Sequence, residues 1–95
     1  MKQKGITYHI FASGRVQGVG FRSWVVSVAR HFSIRGWVRN TEKYNCVEIL
    51  AQSYSENDLM DFIATIKTEH PFARVENCEV NTISSPSLTG FKVVR

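Results

Sequence analysis

The chain has 95 residues, which is enough for one hydrophobic core and too few for a second. Hydrophobic residues make up 43% of it and charged residues 21%, an ordinary globular composition that excludes intrinsic disorder. No apolar run exceeds three residues, so we expect no membrane-spanning segment. Residues 1–5 lead into no apolar stretch, so we expect no secretory signal and a cytoplasmic location.

Charge is distributed unevenly along the sequence. Residues 1–41 carry a net charge of +7 with no acidic residue, whereas residues 42–95 carry −3. A basic first half indicates an anionic partner, either nucleic acid, anionic lipid or a small phosphate-bearing substrate. The alternative is an ordinary solvated basic surface.

Cysteine and histidine are too sparse for a metal centre. Cys46 and Cys78 lie far apart and form no CxxC pair, and His9, His31 and His70 are scattered. This pattern fits neither a zinc site nor a disulfide scaffold. We therefore predict no metal centre.

The first third of the chain predicts a strand, a loop and a helix. Apolar and polar residues alternate over residues 6–13, as in a half-buried strand. A loop with three glycines follows at residues 14–20 (the glycine loop). Apolar residues then recur every three or four positions, which is one face of a helix over residues 21–32. That face comprises Phe21, Trp24, Val25, Val28, Ala29 and Phe32.

The middle of the chain predicts a hairpin. Strands are expected over residues 34–40 and 46–52, and the polar residues 41–45 between them form its loop. Asn45 is a candidate for the left-handed backbone conformation that hairpin loops favour.

The last third predicts a second helix and two strands. Ser55 with Asp58 three residues later is a capping-box signature. A strand is expected over residues 74–83, with a bulge where its alternation slips, and a short strand over 91–94. The apolar stripe of the second helix comprises Leu59, Phe62, Ile63 and Ile66.

This order of elements predicts an α+β fold of the ferredoxin-like, split βαβ type. We expect an antiparallel sheet with both helices on one face, a short extra strand at the carboxyl end, and one domain spanning residues 1–95. The predicted core between helices and sheet includes Trp24, Val28, Leu59, Phe62 and Ile66. Strand one should separate Cys46 from Cys78, which predicts free thiols.

The same topology predicts where polar residues converge. Strands one and two should run parallel with strand three between them, so their carboxyl ends share one edge of the sheet. The glycine loop leaves strand one at that edge and Asn40 ends strand two there. We therefore expect residues 14–22 and Asn40 to lie close together.

The glycine loop has the features of an anion-binding loop. Gly14, Gly18 and Gly20 permit positive φ, which turns backbone N–H groups inward, and the loop runs into a helix N-terminus that favours anions. Arg22, in the first turn, adds a planar guanidinium suited to an oxyanion. The spacing matches neither GxxxxGK[ST] nor GxGxxG. The alternative is a connecting turn with a solvated arginine.

Asn40 alone is a weak signal, because asparagine at a strand end is usually a turn residue. Its amide does not titrate and cannot act as a base. It can, however, accept from and donate to one water molecule at the same time. Opposite an anion site it would position a water.

Two segments resemble the signatures of the acylphosphatase family. Residues 14–22, GRVQGVGFR, are similar to its GRVQGVxFR motif, and residues 36–40, GWVRN, are similar to its GxVxN motif. Looser matches occur at residues 47–48, 71–75 and 91–93, so the resemblance covers nearly the whole chain in order.

The resemblance implies a ferredoxin-like fold and hydrolysis of acyl phosphates to a carboxylate and inorganic phosphate. It implies that Arg22 binds the phosphoryl group and that Asn40 orients the attacking water, with no metal or cofactor and no membrane partner. We expect a monomer. The loop residues expected to bind phosphate or a similar anion are Arg15, Val16, Gln17, Gly18, Val19 and Gly20.

The hairpin after Asn40 departs from the family pattern. Members of the family often have a short Asp-Gly turn there, whereas residues 41–46 of this chain are one residue longer and lack the glycine. We expect the loop to absorb the difference, because the strands on both sides keep their pattern.

Three other functions remain open from the sequence. Tyr8, Phe11 and Trp37 could form an aromatic platform for RNA on the open sheet face, although the RNP1 pattern is missing around residues 46–51. The chain could be a carbamoyl-phosphate-handling domain like those fused to hydrogenase-maturation carbamoyl transferases, for whose other domains 95 residues leave no room. It could also be a non-enzymatic phosphate-binding module that serves as a ligand sensor.

Overall fold

The structure is a computed structural model that describes residues 5–95, so the expectation about the amino-terminal segment falls largely outside the described residues. Its elements follow the predicted order, with a fifth strand at the end. They are β1 (Ile6–Arg15), α1 (Phe21–His31), β2 (Arg35–Asn40), β3 (Cys46–Ser53), α2 (Glu56–Thr68), β4 (Arg74–Ile83) and β5 (Phe91–Val93).

The five strands form one sheet in the order β4-β1-β3-β2-β5. β3 pairs antiparallel with both β1 and β2, so β1 and β2 run parallel to each other as predicted. The sheet is mixed rather than purely antiparallel, because β5 pairs parallel with β2. The order places β1 between the strands that carry Cys46 and Cys78, and both are free thiols.

β1 is longer than predicted and contains the start of the glycine loop. The strand continues to Arg15 because Gly14 and Arg15 pair with Val75 and Arg74 of β4. The register between β1 and β4 shifts at this point and leaves Glu76 without a partner in β1, which is the predicted bulge.

The two helices begin differently. Ser55 caps α2, since its hydroxyl oxygen accepts a hydrogen bond from the Asp58 backbone N–H at 3.1 Å. The Ser53 hydroxyl, rather than Asp58, satisfies the backbone N–H of Ser55. α1 begins after Gly20, which has a φ of 74° and provides no side-chain cap.

Within residues 5–95, neither helix has the length and hydropathy needed to cross a membrane.

The core lies between the two helices and one face of the sheet. Tyr8, Ile10 and Ala12 of β1 point into it, in agreement with the predicted alternation. Leu59, Phe62 and Ile66 of α2 are buried as predicted.

The prediction for α1 was wrong in detail. Trp24 and Val28 are only half-buried, because the stripe that faces the sheet is centred on Phe21, Val25 and Ala29. Trp24 lies beside that stripe and packs edge-on against the ring of His70, at a centroid distance of 5.0 Å.

The hairpin between β2 and β3 closes without a left-handed asparagine. Ser33 is the one non-glycine residue with positive φ in the described range 5–95, so the expectation for Asn45 was wrong. The Thr41 hydroxyl accepts from the Lys43 backbone N–H at 3.1 Å and stabilises the turn instead. The Thr41 N–H donates to the Cys46 carbonyl at 3.1 Å, and the strands keep their register on both sides.

Phe62 tests how much the core contributes to stability. Its side chain is fully buried and its ring packs edge-on against Phe91, at a centroid distance of 6.2 Å. We expect Phe62→Ala to lower the free energy of unfolding by about 3–5 kcal/mol, since it removes a large apolar side chain and leaves a cavity. Urea denaturation measures this, and the exposed Met60→Ala on the same helix is the control. A loss no larger than that of Met60→Ala would contradict the assigned core.

Candidate active site

The parallel direction of β1 and β2 brings two predicted site segments to one edge of the sheet. β1 ends at Arg15 and leads through residues 16–20 into α1, and β2 ends at Asn40. One strand, β3, lies between them. The carboxyl ends of two parallel strands meet at the same edge, so the glycine loop and Asn40 lie at this edge together.

The backbone of the glycine loop depends on glycine for its conformation. Gly18 and Gly20 have φ values of 77° and 74°, and a Cβ at either position would meet nothing within 4 Å. The glycines are therefore required for their positive φ and not for space. Gly14 also has positive φ, so the expectation for all three glycines is confirmed.

The loop leaves several backbone donors without acceptors. Val16 is anchored in the core at 1% exposure, and its N–H donates to the Gly14 carbonyl at 3.1 Å. Among residues 5–95, the N–H groups from Gln17 to Gly20 donate to no backbone or side-chain acceptor. Unpaired N–H groups that cluster in a turn form a site for an anion.

The start of α1 continues this arrangement. Its first turn has no capping side chain and no acidic residue, whereas the first turn of α2 has a serine cap together with Glu56 and Asp58. The N–H groups and the positive dipole end at the start of α1 are therefore compensated by no side chain of the described residues.

Arg22 lies in this first turn and is half-buried. Both ion pairs within residues 5–95 use Glu48 on β3, so no described carboxylate neutralises Arg22. A guanidinium that is half-buried and unpaired is available to a bound oxyanion.

Gln17 links the glycine loop to the hairpin that follows Asn40. Its side-chain amide donates to the backbone carbonyls of Lys43 and Cys46, both at 2.9 Å. The backbone N–H of Gly14 adds a third link, to the Asn45 carbonyl at 2.9 Å. The sequence placed Gln17 among the loop residues but did not indicate that its side chain bonds to the hairpin.

Asn40 is exposed at the last position of β2. It pairs in register with Val47, whose side chain is fully buried in the core, so Asn40 lies on the face of the sheet that carries the helices. Its carboxamide makes no hydrogen bond to another residue of the described range. Both its donor and its acceptor are therefore available to a water or a ligand.

A shallow depression of about 860 Å³ lies on the sheet face opposite the helices, which we call the open face. Its walls include Asn40 and Glu48 but no residue from Arg15 to Arg22. Glu48 accepts hydrogen bonds from His9 at 2.6 Å and Arg39 at 2.7 Å. Burial alone would raise the pKa of Glu48, but these two partners outweigh it and hold the pKa below its usual value.

The open face does not form the aromatic platform considered for RNA. Tyr8 belongs to the core on the opposite face, because Tyr8, Ile10 and Ala12 share one side of β1. Phe11 and Trp37 are on the open face, but Phe11 lies between Glu48 and Glu79 of the neighbouring strands. Acidic residues on both sides of an aromatic ring oppose a nucleic-acid backbone. Trp37 packs under the Arg39 guanidinium at 5.3 Å.

Neither cysteine is placed as a nucleophile. Burial raises the pKa of Cys78, and nearby Lys67 offsets this only in part, so the thiol stays protonated at neutral pH. Cys46 is buried. Within the part of the chain that the structure describes, no group of three or more His, Cys, Asp or Glu side chains is placed to hold a metal ion.

Fold and site together define a ferredoxin-like α+β protein with unpaired backbone donors and an uncompensated guanidinium at one sheet edge. The model of the acylphosphatase family matches residues 8–93. The chain is 40% identical over 85 residues to the acylphosphatases of Treponema denticola and Bacillus subtilis, covering 90% of this chain in both cases and 88% and 89% of those proteins. It therefore belongs to the acylphosphatase family.

Solved structures agree with this assignment. The crystal structure of the Bacillus subtilis acylphosphatase aligns with a TM-score of 0.88 and 37% identity, covering 95% of this chain and 99% of that one. An acylphosphatase from Coxiella burnetii aligns with a TM-score of 0.89 and 30% identity over 99% and 100% of the two chains.

A larger protein contains a similar unit. Full-length HypF in its phosphate- and nucleotide-bound form aligns with a TM-score of 0.80 and 27% identity, covering 95% of this chain but 12% of that one. The family model and the 40% identity to acylphosphatases favour the acylphosphatase interpretation over the alternative of a carbamoyl-phosphate-handling domain.

Proposed function

We propose that this chain is an acylphosphatase that hydrolyses the carboxyl-phosphate bond of acyl phosphates. The observation that carries the proposal is the start of α1, where Arg22 and the loop N–H groups have no described partner and share a sheet edge with Asn40. Membership of the acylphosphatase family supports the same reaction.

The phosphoryl group is bound by the glycine loop and Arg22. Backbone N–H groups of residues 17–20 surround its oxygens, and the guanidinium neutralises part of their charge. The Val16 N–H, which was also expected to contribute, donates to the Gly14 carbonyl instead. Gln17 holds the loop against the hairpin, so these donors keep their positions as charge develops in the transition state. Phosphoryl transfer depends mainly on such positioning and charge stabilisation.

Asn40 holds the attacking water. The water oxygen forms a bond to phosphorus in line with the bond that breaks, and the electron pair of that bond leaves with the carboxylate oxygen. The proton of the water passes to the substrate phosphate. The products are a carboxylate and inorganic phosphate, and the enzyme returns unchanged.

The reaction needs no general acid. The leaving carboxylate has a pKa of about 4–5, like that of a glutamate side chain, so it departs without a proton. The glycine loop, one arginine and one amide that holds the water are then sufficient for catalysis, because the protein forms no covalent bond to the substrate and acts by positioning and charge stabilisation.

A hydrolysis assay with benzoyl phosphate tests the function. We expect turnover that EDTA does not change and that inorganic phosphate inhibits competitively. Phenyl phosphate is the control: its leaving group has a pKa of about 10, like tyrosine, and needs a proton that this site does not supply. Absence of benzoyl phosphate turnover would refute the proposal, and loss of turnover in EDTA would refute its metal-free chemistry.

We further propose that the enzyme acts as a monomer in the cytoplasm. Every proposed site residue comes from one chain, so a second copy is not required to complete the site. The two free cysteines are typical of a reducing compartment.

A further inference from the structure

The side chain of His70 organises the segment between α2 and β4. Its ring nitrogen Nδ1 accepts hydrogen bonds from the backbone N–H groups of Phe72 and Ala73, at 3.0 and 2.9 Å. A ring nitrogen that accepts carries no hydrogen, so the ring N–H is at Nε2. Among residues 5–95, these two backbone N–H groups have no other acceptor. His70 therefore fixes the turn that leads into β4.

The same ring packs against the beginning of α1. Its centroid lies 5.0 Å from the Trp24 ring, which it meets edge-on, and 6.0 Å from the Phe21 ring. The Phe21 and Trp24 centroids are 5.9 Å apart. All three separations are within the range at which aromatic rings attract each other. The three rings, which we call the aromatic cluster, therefore join the turn after α2 to the first turn of α1.

The aromatic cluster is continuous with the proposed phosphate site. Phe21 follows Gly20 of the glycine loop, precedes Arg22 and is buried at 1% exposure. The Trp24 backbone N–H donates to the Gly20 carbonyl at 3.2 Å, and α1 has no capping side chain to hold this turn. The contacts that hold Phe21 and Trp24 therefore also fix the backbone from which Arg22 and the last N–H groups of the glycine loop extend.

The phosphate site has a physical need for such support. Without an anion, the N–H groups of the glycine loop, the positive end of the α1 dipole and the Arg22 guanidinium place like charges close together. Their repulsion favours a looser arrangement, which phosphate would have to reorder at a cost in affinity. A contact that keeps the start of α1 ordered in the free protein removes that cost.

We propose that His70 is a positioning residue that sets phosphate affinity through the aromatic cluster, without touching the ligand. The inference rests on the phosphate site of the proposed function and adds to it a residue from outside the glycine loop, α1 and β2. The ring of His70 makes the contact with α1, whereas Nδ1 holds the turn into β4. The two roles can therefore be separated by substitution.

His70→Asn removes the ring and keeps an oxygen that accepts from the N–H two residues on, whereas His70→Phe keeps a ring and removes the acceptor. Isothermal titration with inorganic phosphate, at a temperature at which all variants are folded, measures the affinity. We expect His70→Asn to bind phosphate about fivefold more weakly, the size of effect that an aromatic contact contributes. We expect His70→Phe to bind phosphate as tightly as the wild type even where its Tm is lower.

The kinetics of benzoyl phosphate hydrolysis provide a second readout. His70→Asn should raise KM by the same factor as it weakens phosphate binding and leave kcat unchanged. The reason is that an ordering cost paid on binding is common to the bound substrate and the transition state. A role in stability alone would change Tm without this division between KM and kcat.

His31→Asn is the matched control. His31 is the last residue of α1, and its ring packs edge-on against Phe32 at a centroid distance of 4.9 Å. The substitution removes the same ring from the far end of the same helix, and we expect wild-type phosphate affinity. Trp24→Leu tests the path itself. Combined with His70→Asn, it should weaken phosphate binding little further than His70→Asn alone, because both substitutions remove one shared contact.

Three results would overturn the inference while the acylphosphatase function stands. They are wild-type phosphate affinity in His70→Asn, equal weakening in His70→Asn and His70→Phe, and losses that simply add in the double variant with Trp24→Leu. A wild type that binds phosphate but hydrolyses no benzoyl phosphate would refute the function and leave the role of His70 in place.

Discussion

Replacing Arg22 with alanine is expected to abolish hydrolysis and phosphate binding together. The guanidinium is the one cationic side chain in the first turn of α1, and no described residue replaces it. Removing it leaves the phosphoryl oxygens to backbone donors alone. We expect kcat/KM for benzoyl phosphate to fall by about 10³-fold or more, the range seen when a charge-stabilising donor is removed from a phosphoryl-transfer site.

Phosphate binding can be measured without turnover. A ligand that binds only the folded state raises Tm, so inorganic phosphate should stabilise the wild type and leave the Tm of Arg22→Ala unchanged. Arg22→Lys is the control, since it keeps the charge but loses the planar fork, and we expect it to retain weak binding. If Arg22→Ala hydrolysed benzoyl phosphate at the wild-type rate, the anion site would have to lie elsewhere.

The order of elements could be predicted because each one has a distinct pattern. Alternation over β1, the spacing of apolar residues in both helices and the Ser55 cap are local signals, and the structure agrees with them. The topology then follows from the few ways in which such elements pack. That topology alone was enough to predict that the glycine loop and Asn40 lie at the same edge of the sheet.

Features that depend on tertiary contacts could not be predicted. Arg15 joins β1 only because β4 pairs with it, and β4 is far away in sequence. The spacing of apolar residues in the sequence puts Trp24 on the apolar face of α1. In the structure Trp24 contacts His70 and lies beside the stripe that faces the sheet. The bonds from Gln17 to the hairpin carbonyls have no sequence signature, since a glutamine in a loop is ordinarily solvated.

The longer hairpin illustrates how the fold preserves the site. Thr41 closes the loop through its hydroxyl and its backbone N–H, and the registers of β2 and β3 continue to Asn40 and Val47. The position of Asn40 is therefore set by the strand pairing and by the link from Gln17. The length of the turn that follows Asn40 therefore has little effect on the position of this residue.

Asn40→Ala is expected to separate chemistry from binding. The Asn40 carboxamide bonds to no other described residue, and the residue is exposed, so its removal should change stability by no more than about 0.5 kcal/mol. Loss of the group that orients the water should lower kcat for benzoyl phosphate by at least about a hundredfold, as misplacing a reactant does. The stabilisation of the variant by inorganic phosphate should remain close to that of the wild type, because the glycine loop and Arg22 are untouched.

A second variant, Asn40→Asp, separates the role of Asn40 in holding water from any role in binding the anion. The carboxylate can accept from the water but cannot donate to it, and it places a negative charge near the phosphoryl oxygens. We therefore expect Asn40→Asp to lose phosphate binding as well as turnover, in contrast to Asn40→Ala. Full activity of Asn40→Ala would show that the attacking water is held elsewhere. Equal loss of phosphate binding in both variants would instead place Asn40 among the groups that bind the anion, because only a direct contact with the phosphoryl oxygens would make alanine as damaging as aspartate.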